Sequence, residues 1–186
     1  MKWVILALFV ASFSLSLSPY QRKQYSDYDE IFKKYSKRYF GVEQDWKIFK
    51  AQGIAESGLN PKAVSWVHAR GIMQLMPTTF KEIQSRNPQF TSIDNIESNI
   101  GAGIYYDRQL YKSWDSLNTP HRFKFTLGSY NAGQGTIQKA QRQCISLKLS
   151  TREWENIILV AAKVHGWRYT ETLGYVEKIL YFREQL

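Results

Sequence analysis

Residues 46–61 read WKIFKAQGIAESGLNP, an apolar helical pattern that runs into helix-stopping residues with a carboxylate at the junction. Trp46, Phe49, Ile54 and Ala55 fall close to one helical face, and Gly58 and Pro61 supply the stop. Glu56 therefore lies in the last helical turn. The helix dipole disfavours negative charge there by about 0.3–1 kcal/mol when exposed, a cost that a protonated Glu escapes. Dipole and partial burial both push such a carboxyl's pKa upward, the condition for a general acid that holds its proton near neutral pH. A solvated Glu at a frayed helix end is the alternative, and position alone leaves both readings open.

Outward from this stretch, helical patterns recur over residues 79–86, 95–112, 120–131, 136–145, 152–165 and 171–183, with the first covering 45–57. Thr79 with Glu82 makes a capping box, Thr119 precedes Pro120, and Thr151 precedes Arg152, all start signals; Gly133, Gly135 and Gly166 fall at ends. No long alternating pattern is present, and the one candidate for extended chain is a short piece around residues 72–75. These patterns predict a mainly α domain with at most a very short β element.

At 186 residues, with 44% hydrophobic and 15% aromatic content, the chain buries one sizeable core rather than two. Residues 1–18 carry one Lys followed by an apolar, Ser-rich run over 3–17 that is short for a membrane span. They read as a secretory signal, with a signal anchor as the alternative. Ser14 and Ser16 suit a cleavage site, whereas Pro19 argues against a cut directly after Ser18. Arg22, Lys23, Lys33 and Lys34 beyond the run weaken an anchor with its C-terminus outside. Export to a periplasmic or extracellular location is the expectation, with membrane association only if the leader is retained. Residues 19–41 form a basic, Tyr-rich segment, and 42–186 the main domain.

Cys144 is the single cysteine, so no intramolecular disulfide is available and a core thiol is expected. His68, His121 and His165 are scattered without ligand spacing, so no metal or other cofactor is expected. The net charge of +9, all but one unit of it outside the leader, favours a polyanionic partner. Nucleic acid is not the expected one. Only residues 33–38 form a dense basic group, and no zinc-finger, RNA-recognition or glycine-loop signature occurs.

Three further stretches complete a set with ESGLNP at 56–61: GIMQLMP at 71–77, SYNAG at 129–133 and ETLGYV at 171–176. In this order, and across about residues 45–180, they resemble the motifs of the soluble lytic transglycosylase domain family. Goose-type lysozymes share that family's fold but match the motifs less fully. One departure is Ser129, where the family usually has Ala. The resemblance implies a lysozyme-like helical fold and cleavage of peptidoglycan between N-acetylmuramic acid and N-acetylglucosamine without water. By matching motif, Glu56 would protonate the leaving oxygen and then deprotonate the muramyl 6-hydroxyl, whose intramolecular attack leaves a 1,6-anhydro end. A nucleophile tethered to the reacting ring makes one carboxylate sufficient, whereas ordinary glycosidases use two.

The same resemblance marks Ser57, Met73, Gln74, Tyr130, Asn131, Glu171 and Tyr175 as substrate-binding or supporting residues. Each has a plainer reading too: Ser57 as a helix-end hydroxyl, Met73 as core, Asn131 as a cap before Gly133, Glu171 as a first-turn acid. Gly71 fits a close backbone approach, and Trp66 and Tyr105 are candidates for stacking on sugar rings. The expected partner is the glycan strand of peptidoglycan, with a cell-envelope or phage assembly as a possible setting. Two other functions stay open at this point. A lysozyme-type hydrolase would need a second acid, for which Asp94 and Glu97 are the nearest candidates, and a non-catalytic wall-binding module would need none.

Overall fold

A computed structural model describes residues 27–118 and 121–186. Among these residues the chain forms eight α-helices: α1 Asp29–Phe40, α2 Lys47–Ser57, α3 Pro77–Arg86, α4 Ile96–Ser113, α5 His121–Ala132, α6 Gln134–Ser146, α7 Trp154–Val160 and α8 Tyr169–Gln185. A short 3-10 turn, Ala161–Lys163, extends α7. The mainly helical expectation holds. The short β element is a pair of isolated bridges, Val64 with Arg70 and Arg70 with Leu75, folding residues 63–75 into a tight loop beside the end of α2. The leader reading at 1–18 and the Thr119–Pro120 start signal lie outside the described residues. No described helix is long and apolar enough to cross a membrane.

Helix α2 is the centre of the molecule. Residues Ile48 to Ile54 are buried without a break, so α2 is enclosed on several sides rather than along the single face its sequence pattern suggested. It packs against α1 on one side and α8 on another, while Gln52 reaches Asp107 of α4 and Phe49 meets Phe123 of α5. Lys50, 2% exposed, is tolerated inside because it pairs with Asp29 at the start of α1. Phe40 of α1, Phe49 of α2, and Tyr111 and Phe123 of α4 and α5 meet as one aromatic cluster, with Phe40–Phe49 and Tyr111–Phe123 centroids each 4.8 Å apart.

Several boundaries differ from the sequence patterns for identifiable reasons. Residues 29–40 are a helix, not merely a charged Tyr-rich segment. Phe32, Tyr35 and Ser36 form its buried stripe, and Asp29 and Glu30 at one end with Lys37 and Arg38 at the other complement its dipole. Helix α3 starts at Pro77, where a missing N–H costs nothing, so the Thr79–Glu82 capping box is unused and Glu82 faces Arg86 at 3.5 Å instead. Helix α7 starts at Trp154, after Glu153 rather than Thr151, and is shorter than its pattern. At α4 the expected start is met: the Asn95 side chain accepts from Ser98 N–H at 2.9 Å.

Candidate active site

Helix α2 ends where its sequence predicts. Gly58 adopts φ 64°, its N–H bonds to the Ile54 carbonyl at 2.9 Å, and the Leu59 N–H reaches Gly53 O at 3.3 Å. This stop leaves Glu56 in the final turn, at the floor of a cleft of about 360 Å³ lined also by Trp66, Gln74, Met76, Tyr130, Asn131 and Glu171. Tyr175 of α8 donates its hydroxyl hydrogen to Glu56 Oε1 at 2.5 Å. Lys178, one turn further along α8, bonds the Ala55 carbonyl at 3.2 Å.

Burial pushes the Glu56 carboxyl up from 4.5 to about 7, against the opposing pulls of the Tyr175 hydrogen bond and the Lys178 charge. The group therefore carries a proton for much of the time at neutral pH while remaining able to release it. Tyr175 is held well above the usual phenol range, by burial first and by the Glu56 charge second, so it stays a hydrogen-bond donor.

The 71–75 loop brings Gln74 to the cleft, and its shape is set by a buried amide. Asn99 of α4, 1% exposed, accepts from Met73 N–H at 2.8 Å and donates to the Arg70 and Ile93 carbonyls at 3.0 and 2.9 Å. The loop crosses so close to Asn99 that a Cβ on Gly71, whose φ is 76°, would lie 2.4 Å from Asn99 Nδ2. Tyr130 of α5 donates to the Met73 carbonyl at 2.8 Å, and Ser57 donates to the Ile72 carbonyl at 2.9 Å, tying the end of α2 to the same loop.

The residues singled out from the sequence thus divide by position. Glu56, Gln74, Tyr130, Asn131 and Glu171 line one cleft, and Tyr175 stands behind Glu56. Met73 does not line it: the side chain is 0% exposed and lies over Gly103, so an apolar residue at this loop position completes the core while its backbone does the polar work. Ser57 faces the loop carbonyl rather than the Glu56 carboxyl. The Gln74 amide nitrogen is spent on Gly71 O at 2.8 Å, and Asn131 Oδ1 accepts from Thr172 at 2.8 Å, itself held by the Trp167 indole N–H at 2.9 Å. Glu171 pairs with Arg168 at 2.7 Å. Ser129 accepts from the Trp114 indole at 3.1 Å, which gives its hydroxyl a structural purpose.

Asp94 and Glu97 are engaged elsewhere. Asp94 takes a two-point contact from Arg70 at 2.9 and 2.7 Å, and Glu97 bonds Lys34 at 2.6 Å, a hydrogen bond that also draws its carboxyl below the ordinary value. Sequence reasoning missed Asn99, Thr172 and Lys178. Asn99 left a signal, a polar residue set among Ile96, Ile100 and Ile104 on the apolar face of α4, and Thr172 lies within the ETLGYV stretch without standing out in it.

This helical fold, with a single pKa-shifted carboxyl in a cleft floored by the end of a buried helix, is the lysozyme-like arrangement. Residues 30–150 match the Transglycosylase SLT domain, well over half of the chain, and the protein belongs to that family. Among curated relatives, the membrane-bound lytic murein transglycosylase F of Shewanella sediminis is 30% identical over 148 residues, which is 80% of this chain and 29% of the relative. The protein of the same name from Desulfosudis oleivorans is 29% identical over 76% of this chain and 33% of its own length. The chain thus spans about a third or less of these relatives. Among solved structures, the Escherichia coli 70 kDa soluble lytic transglycosylase superposes with a TM-score of 0.67 at 24% identity, covering 85% of this chain and 24% of that one. A complex of the 70 kDa soluble lytic transglycosylase with bulgecin A gives 0.63 at 24% identity, covering 89% and 25%. At that identity the likeness is one of fold.

Proposed function

We propose that this chain is a peptidoglycan lytic transglycosylase that cleaves the bond between N-acetylmuramic acid and N-acetylglucosamine and leaves 1,6-anhydromuramyl ends, with Glu56 as acid and then base. The observation that carries this reading is the Glu56 carboxyl itself, raised to about 7 and fixed through one oxygen by the Tyr175 hydroxyl. With Oε1 occupied, the proton sits on Oε2, free to be given to the glycosidic oxygen as the C1–O4 bond breaks. The resulting carboxylate takes the proton of the 6-hydroxyl as O6 bonds to C1. One proton leaves Glu56 and one returns, so the step balances without water.

Around this centre, Trp66, 82% exposed at the cleft rim, offers a flat apolar face for a sugar ring, and Gln74, Asn131 and Tyr130 offer polar contacts to acetamido and hydroxyl groups. The net positive charge suits a substrate bearing peptide carboxylates. The leader at 1–18 fits export to the compartment that holds this substrate, and the curated relatives are named membrane-bound. A lysozyme-type hydrolase is the weaker reading, because Asp94 and Glu97 are tied to Arg70 and Lys34 outside the cleft. Mass spectrometry of digested murein separates the two. Anhydromuramyl ends are expected, abolished by Glu56→Gln, and an exclusive yield of reducing ends would overturn the assignment.

A further inference from the structure

Four buried side-chain polar atoms among the described residues have no hydrogen-bond partner; two are hydroxyls on α1, and the other two, Gln52 Oε1 and Asp107 Oδ2, belong to one contact. Gln52 Nε2 on α2 donates to Asp107 Oδ1 on α4 at 3.3 Å, and neither residue is more than 1% exposed. No Lys, Arg or His pairs with Asp107 among the described residues. An ionised carboxylate would exchange its hydration for one long hydrogen bond, a loss that burial makes severe. Gln52 and Glu56 are four residues apart on α2, so one face of that helix carries both, a turn apart.

The ionisable groups that act on Asp107 or feel its charge come from four helices: Glu56 of α2, Tyr106 of α4, Tyr130 of α5 and Tyr175 of α8. None is a cation. Resting on the assignment of Glu56 as the acid–base group, we propose that Asp107 is a standing carboxylic acid, its Oδ2–H donating to Gln52 Oε1 while Gln52 Nε2–H donates to Oδ1, and that this neutral cyclic pair is the positioning element behind Glu56. A single proton satisfies both orphaned atoms. Exchanging the amide oxygen and nitrogen of Gln52 returns the same pair, because the acid can carry its proton on either oxygen.

The pair matters for the reaction because Glu56 must alternate between neutral and charged. An ionised Asp107, close enough for its charge and that of Glu56 to act on each other, would hold Glu56 protonated and stall it as a base. A neutral Asp107 adds no such repulsion. Burial, the largest influence, and the Glu56 charge drive Asp107 toward its protonated form against the opposing pull of the Gln52 hydrogen bond, so the two carboxyls do not ionise together.

The test is a carbon-13 carboxyl titration of the aspartates in the whole protein, with the Asp107 resonance assigned by its loss in Asp107→Asn. It is expected to stay at the protonated position from about pH 5 to pH 8. An Asp107 that titrates in that window, or is ionised throughout it, overturns the proposal. Activity supplies the second reading. Asp107→Ala, which leaves Gln52 unpaired, should lower the lytic rate at least about tenfold, and Asp107→Asn, which rebuilds the pair as two amides, should restore most of it with the alkaline limb of the pH–rate profile in place. An alkaline limb moved down by about one unit or more in Asp107→Asn would mean that a charge had been removed, and would refute a neutral Asp107. The carboxyl titration needs no substrate, so its outcome is independent of the end-group analysis that tests the assignment of Glu56.

Discussion

Replacing Glu56 with Gln tests the buried carboxyl in two currencies, rate and stability. The carboxyl is raised from 4.5 to about 7 by burial, so the folded protein binds this proton more tightly than the unfolded chain does. The sign follows: for a carboxyl raised on folding, stability is complete below the unfolded value, falls as pH climbs toward 7, and is lower by a constant amount above that. A shift of this size at about 1.4 kcal/mol per pH unit is a deficit on the order of 3 kcal/mol. Gln keeps an oxygen for the Tyr175 hydroxyl and cannot ionise, so the variant escapes the deficit. Its Tm should match that of the parent near pH 4 and exceed it by roughly 6–12 °C at pH 8.5, given about 2–4 °C per kcal/mol for a chain of this size. Thermal melts followed by circular dichroism across that range measure the difference. Lytic activity, meanwhile, should fall by about 10²-fold or more through loss of the proton donor. A Tm difference that stays flat with pH would refute the argument from burial, whatever happens to the rate.

Tyr175→Phe removes a hydrogen bond that holds the Glu56 carboxyl down, so the alkaline limb of the pH–rate profile should move upward, and an unmoved or lowered limb would count against the contact as described. Asn99→Ala should cost about 3 kcal/mol in urea unfolding, because it strands the Met73 N–H and two carbonyls that the amide now serves. Trp66→Ala should leave stability within about 0.5 kcal/mol, since the side chain is exposed, yet raise KM on murein; an unchanged KM would remove Trp66 from the cleft's binding surface.

What could be read from the sequence depended on whether the physics was local. Glu56 was legible because its helix stop is written within a few residues, at Gly58 and Pro61, and the electrostatic argument needs only position along that helix. The cleft partners Tyr130, Asn131 and Glu171 were found through motif resemblance, not pattern. Met73 shows the limit of that route, since a motif marks a position without saying whether side chain or backbone is used; here the buried side chain fills the core and the peptide group faces Asn99 and Tyr130. Helix α1 was obscured because Lys, Arg and Tyr surround the Phe32–Tyr35–Ser36 stripe and dilute it. Asn99 and the Gln52–Asp107 contact are tertiary: each joins segments that only the folded chain brings together.

The Tyr175–Glu56 hydrogen bond spans 119 positions of sequence, and with it the Lys178 contact couples α2 to α8. Closing so long a loop carries an entropic cost that local helix formation does not repay by itself. A growing or partly folded chain can therefore display the first three motifs in full and still hold only an ordinary, water-exposed glutamate. The shifted proton affinity is a property of completed docking, which makes arrival of α8 the moment at which Glu56 becomes able to hold its proton near neutral pH.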